Sequence, residues 1–283
     1  MTEHPEPEGI PPAEQTEGEV QADRRGPAGD ANAPPAAPLP RNAGSWAAKV
    51  DRLTVGGGGS RGSNVAGRRL TGPLQGFGKM WKKTYWIEVS PNISPQTVIA
   101  EWKEHFGEFW PEGNRFEGPL TSLSPGDVAL LDMSVGGGVR LSTGVFVLYA
   151  DEESFTLMTP QGHMFAGWIT FSAERARHGS DPDTSPRAAT VVQAQVLMRA
   201  NDPLYELAMS LGGHRKEDQF WVKTMTALAT YLGALPTTVQ TRTVCIDRRR
   251  QWGNAGHVRH NSMVRSMLHS IPAAFAQRRP SGK

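Results

Sequence analysis

The chain has 283 residues, 38% of them apolar, with 31 glycines and one cysteine, Cys245; this excludes a disulfide-built miniprotein, a Cys-rich zinc module and a collagen. A formal charge of +2 conceals segregation, with −6 over residues 1–40, +5 over 41–74, −5 over 75–241 and +8 over 242–283. No run approaches the ~20 apolar residues of a membrane helix, and the acidic, proline-containing start lacks the basic-then-apolar order of a secretory leader, so a cytoplasmic location is expected.

Residues 1–40 hold 9 of the 22 prolines and no aromatic residue. Such a segment buries too little surface to offset roughly 1–2 kcal/mol of backbone entropy per residue, and is read as disordered. Gly56 to Ser63 reads as a linker. Gly57, Gly59 and Gly62 fit a dinucleotide-binding spacing, and Gly58, Ser60 and Gly62 a nucleophile elbow. Both need a strand–turn–helix setting that the flanking residues do not offer. No cofactor is expected. The domain reading is therefore a tail and linker over 1–78, a folded domain over 79–235 and a basic extension over 236–283.

Within the domain, Thr84 to Val89 alternates as a strand with Tyr85, Ile87 and Val89 on one face. Ser94-Pro95 is a helix start, followed by Val98, Ile99, Trp102, Phe106, Phe109 and Trp110 at helical spacing. From Phe116 to Ala200 short alternating runs separated by turn residues predict an antiparallel meander, with strands near 116–123, 128–135, 139–150, 154–159, 163–173 and 190–200. Together with 84–89, about seven strands are expected. Asp202-Pro203 starts another helix, with Leu204, Leu207, Ala208 and Leu211 as its expected buried stripe. Gly212-Gly213 interrupts it, and helical spacing resumes through Phe220, Trp221, Met225, Leu228 and Leu232 to Gly233. In the extension, Val239–Ile246 reads as an extra strand, and 254–270 as an amphipathic helix whose stripe docks on the domain.

A twisted meander leaves one apolar face uncovered, and a long helix must cover it. This order predicts an α+β, helix-grip fold. Residues 79–233 resemble the START/SRPBCC superfamily, related to the birch-pollen-allergen proteins. Gly118-Pro119-Leu120, Leu141 to Val145, Met158 to Trp168, Arg199 to Pro203 and Gly212 to Trp221 are similar to an uncharacterised bacterial branch of it. The resemblance implies a cavity between sheet and helix that holds a lipid, sterol, polyketide or hormone, and in some members a cyclase or dehydratase activity.

Strand parity turns His163, Phe165, Gly167, Ile169 and Phe171 inward, with Val192, Ala194, Val196 and Met198, with Ala129, Leu131 and Met133, and with Val139 to Tyr149 at alternate positions. Gln193, Gln195 and Arg199 then point outward. The expected interior is almost wholly apolar, its few polar groups being Tyr85, Tyr149, Thr159 and His163. The candidate ligand-binding set is Tyr85, Trp102, Phe106, Met133, Tyr149, Thr159, His163, Phe165, Met198, Trp221 and Met225. His163 titrates near neutrality and is the candidate acid or base, with Tyr85 or Tyr149 as a carbonyl donor. A strand-end histidine satisfied by backbone is the simpler account of the same residue. Glu217 and Asp218 sit where a helix N-terminus favours acids. His257 and His260 are three apart but lack a carboxylate, so no metal site is assigned.

Three functions follow. A small hydrophobic ligand bound between sheet and helix is the leading one. A cyclase or dehydratase using His163 is the second. The third is an adaptor whose basic termini bind nucleic acid or an anionic membrane surface.

Overall fold

The computed structural model describes residues 42–55, 62–90, 92–119, 121–136, 139–176, 189–234 and 238–265. The expected acidic tail, most of the 174–189 loop and the end of the expected C-terminal helix lie outside these residues. The strands are β1 (Met80–Val89), β2 (Arg115–Glu117), β3 (Val128–Gly136), β4 (Val139–Ala150), β5 (Ser154–Met158), β6 (Phe165–Arg175), β7 (Thr190–Ala200) and β8 (Gln240–Asp247). They form one antiparallel sheet in the order β2-β3-β4-β5-β6-β7-β1-β8. The helices are α1 (Pro95–Glu104), α2 (Pro203–Ala208) and α3 (His214–Tyr231).

Chain order explains this arrangement. Strands β3 to β7 are joined in sequence, as a meander requires, whereas β1 pairs with β7 and the chain must then cross to the opposite edge to reach β2. Helix α1 makes that crossing over β5, β6 and β7. It starts where the sequence places it, because Ser94 Oγ accepts the Thr97 N–H at 3.0 Å and Pro95 occupies the first turn. Its buried face is Val98, Ile99 and Trp102, continued by Phe106. Asp202 likewise caps α2 by accepting the N–H groups of Leu204 and Tyr205 at 2.9 and 3.0 Å. Helix α3 lies over β1.

Directly opposed residues of an antiparallel pair share a face, so the pairing defines rows across the inner surface. One row runs Thr241, Tyr85, Ala194, Phe171, Phe155, Ala150, and the next runs Thr243, Lys83, Val196, Ile169, Leu157, Val147. The expected extra strand is thus the eighth member of the sheet, hydrogen-bonded along β1.

Several expectations change. The pairing slips between Val147 and Tyr149, and one extra residue inverts the alternation of β4. Tyr149 therefore faces Thr156 across the strand pair instead of Phe155, and leaves the interior. The stripe expected on α2 is also displaced. Leu204, Leu207 and Leu211 are 42%, 57% and 79% exposed, while Tyr205 and Met209 are buried. The strand expected over 116–123 is only Arg115–Glu117.

Order reaches beyond the 79–235 span. Residues 42–55 and 62–70 cover the outer face of β3 and β4, where Leu53, Val65 and Phe146 form a second core with Val128, Leu130 and Leu148. A sheet covered on both faces needs apolar residues at both parities, and 128–131 of β3 and 145–150 of β4 are such uninterrupted runs. In the extension, the expected α-helix begins as a 3-10 helix, Trp252–His260. It docks on the domain. Arg199, outward-facing as expected but 1% exposed, donates to the Gly78 and Arg249 carbonyls and pairs with Asp247 at 2.6 Å. Asn261 donates to Asp202 at 2.8 Å, and Arg250 reaches Glu206 at 3.2 Å.

Candidate functional site between the sheet and helix α3

The rows above supply the floor of the site, and α1 and α3 supply its roof. Trp102 of α1 meets Phe171 edge-on at 4.8 Å and Phe155 at 5.9 Å, and Phe106 lies 5.1 Å from Phe171 and 4.9 Å from Phe116. From α3, Trp221 approaches Phe171 at 5.5 Å. Met198 and Met225 are buried in the same cluster, with Met133 and Phe165 packed at its margin. Eight of the expected ligand-binding residues are thereby brought together: Tyr85, Trp102, Phe106, Met133, Phe165, Met198, Trp221 and Met225. The rings touch, so side chains occupy the space directly under Trp221. Open volume lies beside α3, in a groove of about 640 Å³ whose lining includes Phe109, Val222, Ala227 and Tyr231. Phe109 belongs to both the groove and the core.

Two polar atoms stand out in this apolar set. The indole Nε1 of Trp102 and that of Trp110 are buried and have no hydrogen-bond acceptor among the described residues. A buried donor without a partner costs about 1–3 kcal/mol.

The interior is not as apolar as expected. Lys83 shares the inner face of β1 with Tyr85 and is fully buried. Its ammonium lies 2.8 Å from Glu217 Oε2 and 2.8 Å from Asp218 Oδ1, and donates to the His214 carbonyl at 3.3 Å. The Tyr85 hydroxyl donates to Asp218 Oδ1 at 2.7 Å. Burial first, then Glu217 and Asp218, hold the Tyr85 phenol far above its ordinary pKa, so it acts as a donor and keeps its proton. Trp81, two residues before Lys83, stands edge-on to His214 at 4.9 Å. Glu217 and Asp218 thus pair with a buried lysine rather than only complementing a helix end. The strand expected from Thr84 to Val89 stops one residue short of Lys83; carrying its alternation back by one residue puts Lys83 on the face of Tyr85.

The remaining three candidates lie elsewhere. Tyr149 packs against Trp46 at 5.1 Å and donates to Asp151 on the outer face. Thr159 Oγ1 donates to the Gly167 carbonyl at 3.1 Å and accepts the Gly167 N–H at 3.0 Å, so its hydroxyl serves the backbone. His163 is 5% exposed in the turn before β6, where Nδ1 accepts the Phe165 N–H at 3.0 Å. Desolvation pushes its pKa down to about 4, leaving a neutral ring whose Nδ1 lone pair is already engaged. This is the backbone-satisfied histidine of the simpler reading. His260 accepts from Arg68 at 2.9 Å; burial and the neighbouring arginines lower its pKa.

An open antiparallel sheet that curls over one long, carboxyl-terminal helix decides the architecture. The fold is a helix grip, as the order of elements in the sequence predicts. No family model and no curated protein matches the chain. Among solved structures it is similar to protein NE0264 from Nitrosomonas europaea, at 14% identity and a TM-score of 0.36, over 54% of this chain and 94% of that one. It is similar to the di-domain ARO/CYC StfQ from the steffimycin biosynthetic pathway, at 10% identity and a TM-score of 0.39, over 55% of this chain and 51% of that one. It is also similar to the major latex-like protein 151 from Panax ginseng, at 11% identity and a TM-score of 0.33, over 56% of this helix-grip chain and 100% of that one. Among the described residues no helix is long and apolar enough to cross a membrane.

Proposed function

We propose that the protein binds a small, largely apolar molecule that carries a hydrogen-bond acceptor, held between α3 and the inner face of the sheet and entering by the groove beside α3. The observation that carries this reading is the Trp102 indole N–H, buried in an aromatic cluster without an acceptor. The indole N–H adds nothing to packing, and its missing acceptor costs about 1–3 kcal/mol. A carbonyl, ether or hydroxyl oxygen of a ligand would satisfy that donor. Met133, Met198 and Met225 support the reading, since flexible thioether side chains can repack around a guest. Phe109, which lines the open groove beside α3, also belongs to the core.

Native mass spectrometry of protein purified from its source, followed by thermal-shift screening of hydrophobic compounds against the wild type and Trp102→Phe, tests the proposal. A bound small molecule, and a stabilising compound whose effect weakens in Trp102→Phe, is the expected result. Absence of any such compound, or an effect of the same size in the wild type and Trp102→Phe, would contradict it.

A further inference from the structure

The Lys83 cluster is chemically unbalanced. Two carboxylates, Glu217 and Asp218, face one ammonium, which donates to Asp218 Oδ1 and the His214 carbonyl and lies 2.8 Å from Glu217 Oε2. An anionic ligand group would meet two carboxylates and an ammonium that is fully buried. Glu217 is the reverse case. Its side chain is 7% exposed, Oε2 is ion-paired with Lys83, and both carboxylate oxygens are buried with no hydrogen-bond donor among the described residues. The Nδ1 of His214 is also buried and unbonded, 3.9 Å from Glu217 Oε2. A carboxylate oxygen held in this way accepts strongly, and a charged donor is its best partner.

The surroundings open towards solvent on one side. His214 and Asp218 side chains are 30% and 39% exposed. Beyond β1, Thr241 and Thr243 of β8 continue the inner face opposite Tyr85 and Lys83, and both are exposed. The α2–α3 segment breaks at Leu211 and at Gly212, whose φ is +112°, immediately before this turn. The first turn of α3 is therefore not held by a continuous helix on its amino-terminal side. Tyr85 and Phe171 lie two strands apart in one row, a separation of about 10 Å. Because Trp102 packs on Phe171, the acidic cluster is one small molecule's length from the unpaired indole.

We propose that Glu217, with Asp218 and His214, forms a subsite for the ammonium end of an amine ligand whose apolar body lies towards Trp102. This rests on the ligand-binding reading above and specifies the ligand class as an apolar amine. Recognition places the ammonium N–H against Glu217 Oε1, adding the positive charge that the cluster lacks, and the Trp81 ring beside His214 offers an aromatic surface to the same cation.

Isothermal titration of the full chain with octylammonium, 1-octanol and octanoate at neutral pH tests the subsite. The expected order puts octylammonium about tenfold tighter than octanol, with octanoate weakest. Glu217→Gln, its folding verified by circular dichroism, is expected to bring octylammonium down to the affinity of octanol. Equal affinity for all three probes, or octanoate binding best, overturns the subsite and leaves the apolar seat standing. Failure of every probe to bind overturns both. An undiminished preference for the amine in folded Glu217→Gln overturns the role given to Glu217.

Discussion

A side chain on Gly162 would place its Cβ 2.2 Å from the His260 carbonyl oxygen. With φ at +93° as well, this position accepts glycine alone, because any other residue meets both a left-handed backbone and an occupied space. The contact is reinforced by the Ser262 N–H, which donates to the Gly162 carbonyl at 3.0 Å. The basic C-terminal extension is thereby a built part of the domain. Gly162→Ala is expected to lower unfolding stability by about 2 kcal/mol or more and to expose 248–265 to limited proteolysis. A variant as stable and as protease-resistant as the wild type would show that the extension does not depend on this contact.

Lys83 makes a second prediction. Lys83→Met leaves Glu217 and Asp218 side by side near the start of α3 without their cation, and a loss of about 3–5 kcal/mol is expected. Glu217→Gln is expected to be milder, since Lys83 retains Asp218 and the His214 carbonyl. Urea denaturation of both variants decides the order; equal losses would contradict the assignment of Lys83 as the centre of the cluster.

His163 gives the pH dependence. Its folded pKa of about 4 lies below the ordinary value of 6.5, so between those values the unfolded chain binds the extra proton and stability rises with pH. The contribution is complete above the unfolded value and is lost as pH falls towards 4, by up to about 3 kcal/mol. Urea denaturation from pH 7 downward is expected to show this slope in the wild type and a shallower one in His163→Gln. Identical slopes would place His163 in a more solvated setting.

The architecture was legible in the sequence because each element carries its own chemistry: Ser94-Pro95 and Asp202-Pro203 start helices where expected, and β3 to β7 follow one another between turn residues. What escaped has local causes. The slip after Val147 depends on a single extra residue, and period-2 counting carried straight through it. On α2, hydrophobicity pointed to Leu204, Leu207 and Leu211, yet the helix turns Tyr205 and Met209 inward, where the tyrosine hydroxyl accepts the Met263 N–H at 3.2 Å. That partner is 58 residues away and leaves no local trace. The candidate site divided along the same line: the aromatic and methionine positions converged, while the polar ones, Tyr149, Thr159 and His163, were taken by backbone groups or the outer face.

Tyr149 provides a control for that division. Tyr149→Phe removes the hydroxyl bond to Asp151 and keeps the ring against Trp46, so a loss of about 1 kcal/mol is expected. Octanol affinity should not change. A coupled loss of binding, measured by the same titration calorimetry, would return Tyr149 to the ligand site and contradict the strand phase.

The central claim is that an apolar molecule reaches the buried Trp102 donor. Nitrogen-15 NMR of the tryptophan indoles, with the Trp102 resonance assigned by its disappearance in Trp102→Phe, reads this directly. Titration with an apolar ligand bearing an oxygen acceptor, 1-octanol in the first instance, should move the Trp102 Nε1–H resonance saturably and slow its exchange with solvent. A Trp102 resonance that stays fixed at saturation with every such molecule would mean that the core is closed and that the protein does something else with this fold.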